Sequence, residues 1–177
     1  LLTYRRDFCA RREVLQLTIQ GVDISGWQDH LYGEQLVLWR SGKVRAKDKL
    51  QLWLRLLLLC AQGVKLSQAV FVGTESEPFM LNGMPRDQAV AALNIYIQAW
   101  CDGHNQPLLL LPECAWLWLD KGDWDKVLKS FSGNDFAKGE GQDVHVARIW
   151  PDLAPHRQEF IRNSESLLRP LYQWSQA

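Results

Sequence analysis

The stretch from residue 36 to residue 62 constrains the fold of this 177-residue chain more than any other part of it. It opens with Leu-Val-Leu-Trp, which is hydrophobic and β-prone, and a turn at Ser41-Gly42 follows. From residue 46 the pattern becomes helical, and the polar residues then fall on one narrow stripe, which consists of Asp48, Gln51, Arg55 and Gln62. A helix with so narrow a polar stripe is buried on most sides. The stretch therefore predicts a strand, a turn and a helix that packs against the face of a sheet.

Further strand and helix patterns surround this stretch. Four runs have the alternation or apolar content of strands, and they cover residues 13–23, 22–30, 35–40 and 69–73. Leu15, Leu17 and Ile19 share one parity and are expected to face the core. Pro85 suits the first position of a second helix, which we expect to end near Asp102. The order β-β-β-α-β-α predicts an α/β fold with a mixed sheet.

The rest of the chain has helical patterns. After a proline-bounded extended segment at 107–112, helices are predicted over 113–119 and 123–131, from an N-cap at Asp143 to Trp150, and from Pro155 onward. We therefore expect three parts, which are a lead-in from a preceding domain (1–12), an α/β core (13–106) and a helical extension packed on the same domain (107–177). Because the chain starts with Leu1 instead of Met, we expect it to be an excised fragment.

Composition excludes several classes of protein. The hydrophobic fraction of 47% indicates a globular chain, and neither a signal peptide nor an uncharged run of 18 residues is present. We therefore expect no membrane association. The four cysteines and four histidines follow no metal-ligand spacing, so we expect buried free thiols in a reduced, cytoplasmic compartment, with no metal and no cofactor.

Charge is distributed unevenly along the chain. Residues 1–65 contain eleven Lys and Arg against six Asp and Glu, while the remainder contains nine against fourteen. The basic residues that follow the third strand are candidates for contacts with DNA phosphates, and they are Arg40, Lys43, Arg45, Lys47 and Lys49. A solvated edge is the alternative reading of this run. Nine tryptophans also suit either a core or a protein interface.

Three short patterns resemble the RecB-type branch of the PD-(D/E)xK nucleases. Gly26-Trp27-Gln28-Asp29 matches a Gly-x-x-Asp motif, and Leu38-Trp39-Arg40 stands where Asp-x-Lys is expected. Gln51 and Arg55 stand at the two ends of a Gln-x-x-x-Tyr motif. The resemblance implies a restriction-endonuclease-like fold in which carboxylates bind Mg²⁺, a hard cation that prefers oxygen ligands.

The positions that should carry the nuclease chemistry are degenerate here. Leu38 cannot ligate a metal, and the planar guanidinium of Arg40 is a poor replacement for a catalytic lysine. We therefore interpret five positions as a vestigial nuclease motif without catalytic residues, and they are Asp29, Leu38, Arg40, Gln51 and Arg55. The domain alone is predicted not to be an enzyme.

A longer set of segments resembles the family of RecC C-terminal domains. The resemblance runs from about Ser25 to the end and includes Leu50–Leu54, Cys60-Ala61, Pro107–Glu113, Gly139-Glu140-Gly141 and Leu168–Leu171. RecC is the gamma chain of exodeoxyribonuclease V, the RecBCD helicase–nuclease. The resemblance implies a DNA-binding, non-catalytic domain that works in double-strand break repair and recombination, with RecB, RecD and DNA as partners.

Two other function classes remain open. The first is an active nuclease whose acid has migrated, so that Glu34 or Asp23 serves beside Asp29 and Lys43 serves as the lysine. The second is a protein-interaction scaffold that makes no contact with DNA.

Overall fold

The computed structural model describes residues 9–176, which divide into two compact units. The first unit extends to Gln98 and the second covers Ala99–Gln176. The division falls inside a helix, Arg86–Gly103. The predicted end of the α/β core, at residue 106, lies a little further along the chain.

The first unit is built on a five-stranded sheet with the spatial order β1-β2-β3-β4-β5. The strands are β1 (Arg11–Ile19), β2 (Val22–Tyr32), β3 (Gln35–Trp39), β4 (Gln68–Val72) and β5 (Phe79–Asn82). β3 and β4 are parallel, and every other neighbouring pair is antiparallel. Two helices complete the element order, α1 (Ala46–Gln62) and α2 (Arg86–Gly103). The predicted mixed α/β architecture is therefore confirmed.

Helix α1 has the predicted boundaries for local reasons. The carboxylate of Asp48 accepts the backbone N–H of Arg45 at 2.9 Å, which satisfies a donor that the first turn leaves without a helical partner. Gly63 ends the helix in the left-handed conformation, with φ of 95°. The helix packs against β1 and β4, and Trp53 on its buried face donates its indole N–H to the Tyr96 hydroxyl at 2.9 Å. α1 is thus the buried crossover that the narrow polar stripe predicts.

The hairpin of β1 and β2 differs in its bounds from the sequence prediction. β1 begins at Arg11, inside the range assigned to the lead-in, and ends at Ile19 instead of continuing to residue 23. Gln20 and Gly21 have φ of 51° and 76°, which is the left-handed pair that a tight two-residue hairpin turn requires. Leu15 and Ile19 are buried as predicted, and Leu17 is half-buried.

Strand β5 was not predicted. Its four residues, Phe79–Asn82, are too few for an alternation to be recognised, and the strand forms only by pairing with β4. Gly83 follows directly, and a Cβ there would collide with the carbonyl oxygen of Leu66. The absence of a side chain therefore allows the chain to leave the sheet beside that carbonyl.

The second unit is helical. After the end of α2 it contains α3 (Pro112–Lys121), α4 (Trp124–Ser132), α5 (Val144–Ile149), α6 (Arg157–Leu167) and α7 (Arg169–Trp174), with short 3₁₀ turns at Glu140–Gln142 and Ala154–His156. Asp143 caps α5 as predicted, because its carboxylate accepts the backbone N–H groups of His145 and Val146. The predicted last helix is two helices, since Pro170 lacks the N–H that a continuous helix needs at that position.

The segment Gly139-Glu140-Gly141 closes the N-terminus of α3. The Glu140 carboxylate accepts the backbone N–H groups of Cys114 at 2.9 Å and Glu113 at 3.3 Å. A Cβ at Gly139 would meet the carbonyl oxygen of Phe131, and one at Gly141 would meet the Phe131 ring. Both glycines are therefore required by close packing, which brings Glu140 to the end of the helix.

The cysteines are all free among the described residues, but they are not all buried. Cys60 and Cys114 lie in the interior, where burial raises the pKa of both thiols. Cys9 is exposed and Cys101 is half-buried, so the expectation of buried thiols is wrong for Cys9. Within residues 9–176, no helix combines the length and the apolar content that a membrane span needs.

Replacement of Leu57 by Ala should test the burial of α1. Leu57 is completely buried, so Leu57→Ala should lower the free energy of unfolding by about 2–5 kcal/mol in urea titrations. The same change at the half-buried Leu54 of the same helix is the matched control, and it should cost clearly less. Equal losses at the two positions would show that α1 is not buried on the side described here.

Replacement of Glu140 by Gln should change how stability depends on pH. Burial raises the pKa of the Glu140 carboxyl above its ordinary value of 4.5. A raised folded-state pKa means that this residue contributes stability at low pH, and that the contribution is lost as pH rises from about 4.5 through the raised pKa. We expect Glu140→Gln to remove that decrease from the free energy of unfolding, measured by urea titration at a series of pH values. The same pH dependence in both proteins would contradict this assignment.

Candidate functional site

A pocket of about 260 Å³ lies at the end of β3, in the first unit. Its walls come from β2, β3, β4 and α1, and they are formed by His30, Leu38, Trp39, Gln51, Arg55 and Phe71. Three of the five positions of the vestigial motif thus line one pocket, although up to 17 positions separate them in the chain. The parallel pairing of β3 with β4 and the return of α1 across the sheet bring them together.

The floor of the pocket is apolar. Leu38 and Phe71 are paired across β3 and β4, and they are 6% and 3% exposed. Leu38 is the position where the nuclease pattern calls for a metal-binding acid. Its side chain offers hydrocarbon where a carboxylate would offer oxygen.

Arg55 is held in the pocket wall by a buried amide. Its Nη1 donates to Oε1 of Gln28 at 3.2 Å, and Nε2 of Gln28 donates to the backbone carbonyl of Asp29 at 2.5 Å. Gln28 is only 3% exposed, so both of these hydrogen bonds are needed to compensate its burial. The guanidinium therefore has a fixed position where the nuclease pattern has a tyrosine.

Asp29, the one acid that the motif retains, is engaged by an arginine. Arg12 on β1 donates through Nε and Nη2 to the two carboxylate oxygens, at 2.6 and 3.3 Å. These hydrogen bonds lower the pKa of Asp29, while the pKa of Arg12 is raised by the same contact. Asp29 is thus an ionised and paired carboxylate, and it does not line the pocket.

Arg40 is also paired. Its Nη1 lies 2.6 Å from Oδ2 of Asp48, the same oxygen that accepts the Arg45 backbone N–H at the start of α1. The Arg40 side chain is 32% exposed and that of Asp48 is 11% exposed, so solvent screens the pair only partly. The positive charge of Arg40 is therefore compensated within the fold.

A bulge in β2 shapes the rim of the pocket. Glu13 faces Gln28 and Arg11 faces Leu31, so β2 has one more residue than β1 between these pairs. His30, within the bulge, has φ of 68°, which is uncommon for a residue other than glycine. Its ring meets Trp39 edge to face, with 4.6 Å between ring centroids. Bulges of this kind redirect side chains beside functional sites.

The basic segment, which we define as residues 40–49, connects β3 to α1. Lys43, Arg45 and Lys47 are exposed. Lys49 is half-buried, and its Nζ lies 4.9 Å from the centroid of the Phe79 ring. The five candidates for DNA contact therefore differ in exposure, because Arg40 and Lys49 are half-buried while the other three are exposed.

The carboxylates proposed for a migrated active site do not gather around the pocket. Glu34 precedes β3, at the end opposite Leu38, and it pairs with Lys65 at 3.3 Å. Asp23 accepts the hydroxyl of Thr18 near the tip of the hairpin. Within residues 9–176, no three His, Cys, Asp or Glu side chains are placed to hold a metal ion together.

Sequence reasoning missed several residues of this site. The missed residues are Gln28, His30, Trp39, Asp48 and Phe71. Asp48 had a recognisable signal, since it stands three residues after the helix N-cap. The bulge at His30 and the pairing of Phe71 with Leu38 depend on strand register, which no local pattern indicates.

Comparisons with known proteins identify the family of this chain. The fold and site define a mixed α/β domain whose candidate site lies at the end of a strand that a buried helix follows. A family model for the RecC C-terminal domain matches residues 2–123. The match covers more than half of the sequence, so the chain belongs to the RecC C-terminal domain family.

Two curated relatives illustrate the similarity. The chain is 29% identical to the RecBCD enzyme subunit RecC of Escherichia coli (strain K12), over 92% of this chain and 16% of that protein. It is 24% identical to the RecBCD enzyme subunit RecC of Buchnera aphidicola subsp. Schizaphis graminum, over 81% of this chain and 15% of that protein. The chain therefore spans about one sixth of the length of these relatives.

Removal of the Asp48 carboxylate should show how much its contacts with Arg40 and with the start of α1 stabilise the fold. Asp48→Ala leaves Arg40 without its partner and the start of α1 without its acceptor, so we expect a loss of about 1–3 kcal/mol in the free energy of unfolding. A double-mutant cycle with Arg40→Met should show that the two losses are not additive. Additive losses would mean that the Arg40–Asp48 contact contributes nothing of its own.

Proposed function

We propose that this chain is a non-catalytic, nuclease-like domain that works in a RecBCD-type DNA end-processing complex and contacts DNA and partner subunits. Membership of the RecC family supports the assignment to such a complex, because the relatives are subunits of the RecBCD enzyme. That enzyme is exodeoxyribonuclease V, and its other subunits, RecB and RecD, are the partners we propose. Its general role is DNA repair and recombination, which suits a cytoplasmic location.

The sheet topology supports a restriction-endonuclease-like fold. Three antiparallel strands are followed by a buried crossover helix and by a fourth strand parallel to the third. In the nucleases that the sequence resembles, the catalytic acid and lysine lie at the end of that third strand. Of the corresponding residues here, Leu38 is the penultimate residue of β3 and Arg40 follows the strand directly.

The observation that carries the non-catalytic assignment is the state of the carboxylates around the vestigial motif. Asp29 is bound by Arg12 and Asp48 is bound by Arg40, while Leu38 contributes no oxygen. A guanidinium that donates hydrogen bonds to a carboxylate competes directly with a metal ion for the same oxygens. A metal ion that used either carboxylate would have to displace its arginine.

The basic segment is our candidate for contact with DNA phosphates. Its three exposed cations, Lys43, Arg45 and Lys47, lie within five consecutive residues. Lys47 also shares a face of α1 with Gln51 and Arg55, because residues four apart are neighbours on a helix. The cationic surface therefore continues from the loop toward the pocket at the end of β3.

The second unit, with Trp116, Trp118, Trp124, Trp150 and Trp174, is our candidate for contact with partner subunits. Trp150 is buried, and Trp118 and Trp124 pack edge to face within the unit. Phe136 is instead almost fully exposed, at 99%. Its backbone N–H donates to Oδ1 of Asn134, in a short turn. An exposed aromatic on an ordered turn is the kind of side chain that anchors an interface.

We expect the unmodified domain neither to cut linear DNA nor to bind Mg²⁺ or Mn²⁺ with micromolar affinity. Calorimetric titration with each metal and a cleavage assay on linear duplex DNA are the measurements. Cleavage that disappears in Asp29→Asn would establish the active-nuclease alternative and refute the proposal.

Reversal of charge in the basic segment should weaken DNA binding without affecting assembly. In the assembled complex, Lys43→Glu, Arg45→Glu and Lys47→Glu together should lower the affinity for duplex DNA and flatten its salt dependence. Each lost phosphate contact should reduce the log–log slope by about 0.9, since bound cations release counterions from DNA.

A matched variant controls for net charge. Lys129→Glu, Lys138→Glu and Arg162→Glu introduce the same charge change at exposed positions of the second unit, and the slope should then remain as in the unmodified complex. If the basic-segment variant fails to assemble but keeps its DNA affinity, the segment is a protein interface. Assembly without any DNA contact by this domain would favour the scaffold alternative.

A further inference from the structure

The pocket at the end of β3 has a wall chemistry that a vestigial metal site does not explain. Its lining contains a guanidinium, an imidazole and an amide, from Arg55, His30 and Gln51, and it contains no carboxylate. The Asp29 carboxylate lies near enough to interact with the charges of His30 and Arg55, but Arg12 binds it and it is not part of the lining. The lining itself therefore favours an anionic ligand.

An aromatic ring stands beside these donors. Trp39 lines the pocket and is 39% exposed, although it lies in the last position of a strand whose preceding residues are buried. An exposed tryptophan next to an arginine is the combination that binds single-stranded nucleic acid, because the ring stacks on a base while the cation contacts the backbone. The apolar floor of Leu38 and Phe71 suits the face or edge of a base.

The rim of the pocket holds its shape at a conformational cost. His30 adopts a left-handed backbone conformation inside the β2 bulge, and its ring is directed against Trp39. Backbone strain of this kind persists only where the surrounding structure enforces it, and it concentrates at ligand sites. The bulge places the His30 ring against Trp39, and Trp39 is still 39% exposed.

The pocket is an open cleft of about 260 Å³. A ligand bound in an open cleft can continue beyond it, as one unit of a polymer does. Bases in a duplex are stacked and paired, and their faces are not available to Trp39. In a single strand the bases are unpaired, so their faces can stack on the ring.

We propose that this pocket binds one nucleotide of single-stranded DNA, with the base on Trp39 and the adjoining phosphate on Arg55. The proposal rests on the proposed function, since it takes DNA as the partner, and it assigns the degenerate nuclease site a binding role. The basic segment begins at Arg40, directly after Trp39. The DNA strand would then continue from the pocket along the face of α1 that carries Lys47, Gln51 and Arg55.

The test is fluorescence anisotropy of a labelled oligo(dT), compared with a labelled duplex, for the unmodified chain and its variants. Trp39→Ala should weaken oligo(dT) binding by about 5- to 150-fold, the range for the loss of one stacked base. Duplex binding should change much less. Trp39→Phe should restore most of the oligo(dT) affinity, because a smaller aromatic ring still stacks.

Trp27→Ala is the matched control for the tryptophan. Trp27 lies on β2, is 66% exposed and has the Arg12 guanidinium 5.8 Å from its ring centroid, but it does not line the pocket. We expect this variant to keep the oligo(dT) affinity within about twofold. If Trp27→Ala and Trp39→Ala lose the same affinity, the pocket is not the binding site and the proposal is overturned.

Arg55→Gln tests the phosphate contact separately. It therefore tests the pocket as a binding site even if Trp39→Ala does not fold. Loss of one phosphate contact should reduce the salt slope for oligo(dT) by about 0.7, a change that a purely structural role would not produce. An unchanged slope overturns the assignment of Arg55. Unfolding is monitored for every variant by circular dichroism and thermal melting.

The failure of this proposal differs from the failure of the proposed function. If reversal of Lys43, Arg45 and Lys47 weakens DNA binding while Trp39→Ala and Arg55→Gln do not, the domain binds DNA without using the pocket. If the pocket variants weaken oligo(dT) binding while the charge reversal has no effect, the pocket assignment holds and the basic segment is wrong. Absence of oligo(dT) binding by the unmodified chain overturns the pocket proposal outright.

Discussion

The parallel pairing of β3 with β4 is the constraint on which the rest of the first unit depends. Parallel neighbours cannot be joined by a tight turn, so the chain must cross the sheet between them, and α1 is that crossover. Burial of α1 against β1 and β4 then fixes which of its residues face the end of β3. Gln51 and Arg55 reach the pocket for this reason, two helical turns from the loop that carries the exposed cations.

Two arginine–carboxylate contacts determine the electrostatics around that pocket. Arg12 neutralises Asp29 on the β1–β2 hairpin, and Arg40 neutralises Asp48 at the start of α1. In each contact the carboxylate oxygens accept hydrogen bonds from a guanidinium, which would compete with a divalent cation for the same oxygens. The donors that remain in the pocket lining are Arg55, His30 and Gln51.

The second unit depends on a different interaction, the seating of Glu140 at the N-terminus of α3. Gly139 and Gly141 allow this approach because any side chain would collide with Phe131. The Glu140 carboxylate accepts hydrogen bonds from two backbone N–H groups that the helix end leaves without helical partners. Burial raises the pKa of this carboxyl group. Aromatic contacts between Trp124 and Phe160, and between Trp116 and Tyr172, hold α3 and α4 to α6 and α7.

The sequence by itself determined the boundaries of α1, the strand that precedes it and the mixed α/β class, because all of these depend on local periodicity and on capping residues. It did not determine β5, since a four-residue strand carries too short a pattern and forms only by pairing with β4. The break before α7 was readable in principle from Pro170, but its place depended on packing. The pocket was decided by the tertiary structure alone: His30 reaches Trp39 only through a bulge in strand register, and Phe71 meets Leu38 only across a parallel pair. Register is set by contacts between residues far apart in the chain, and such contacts have no local pattern in the sequence.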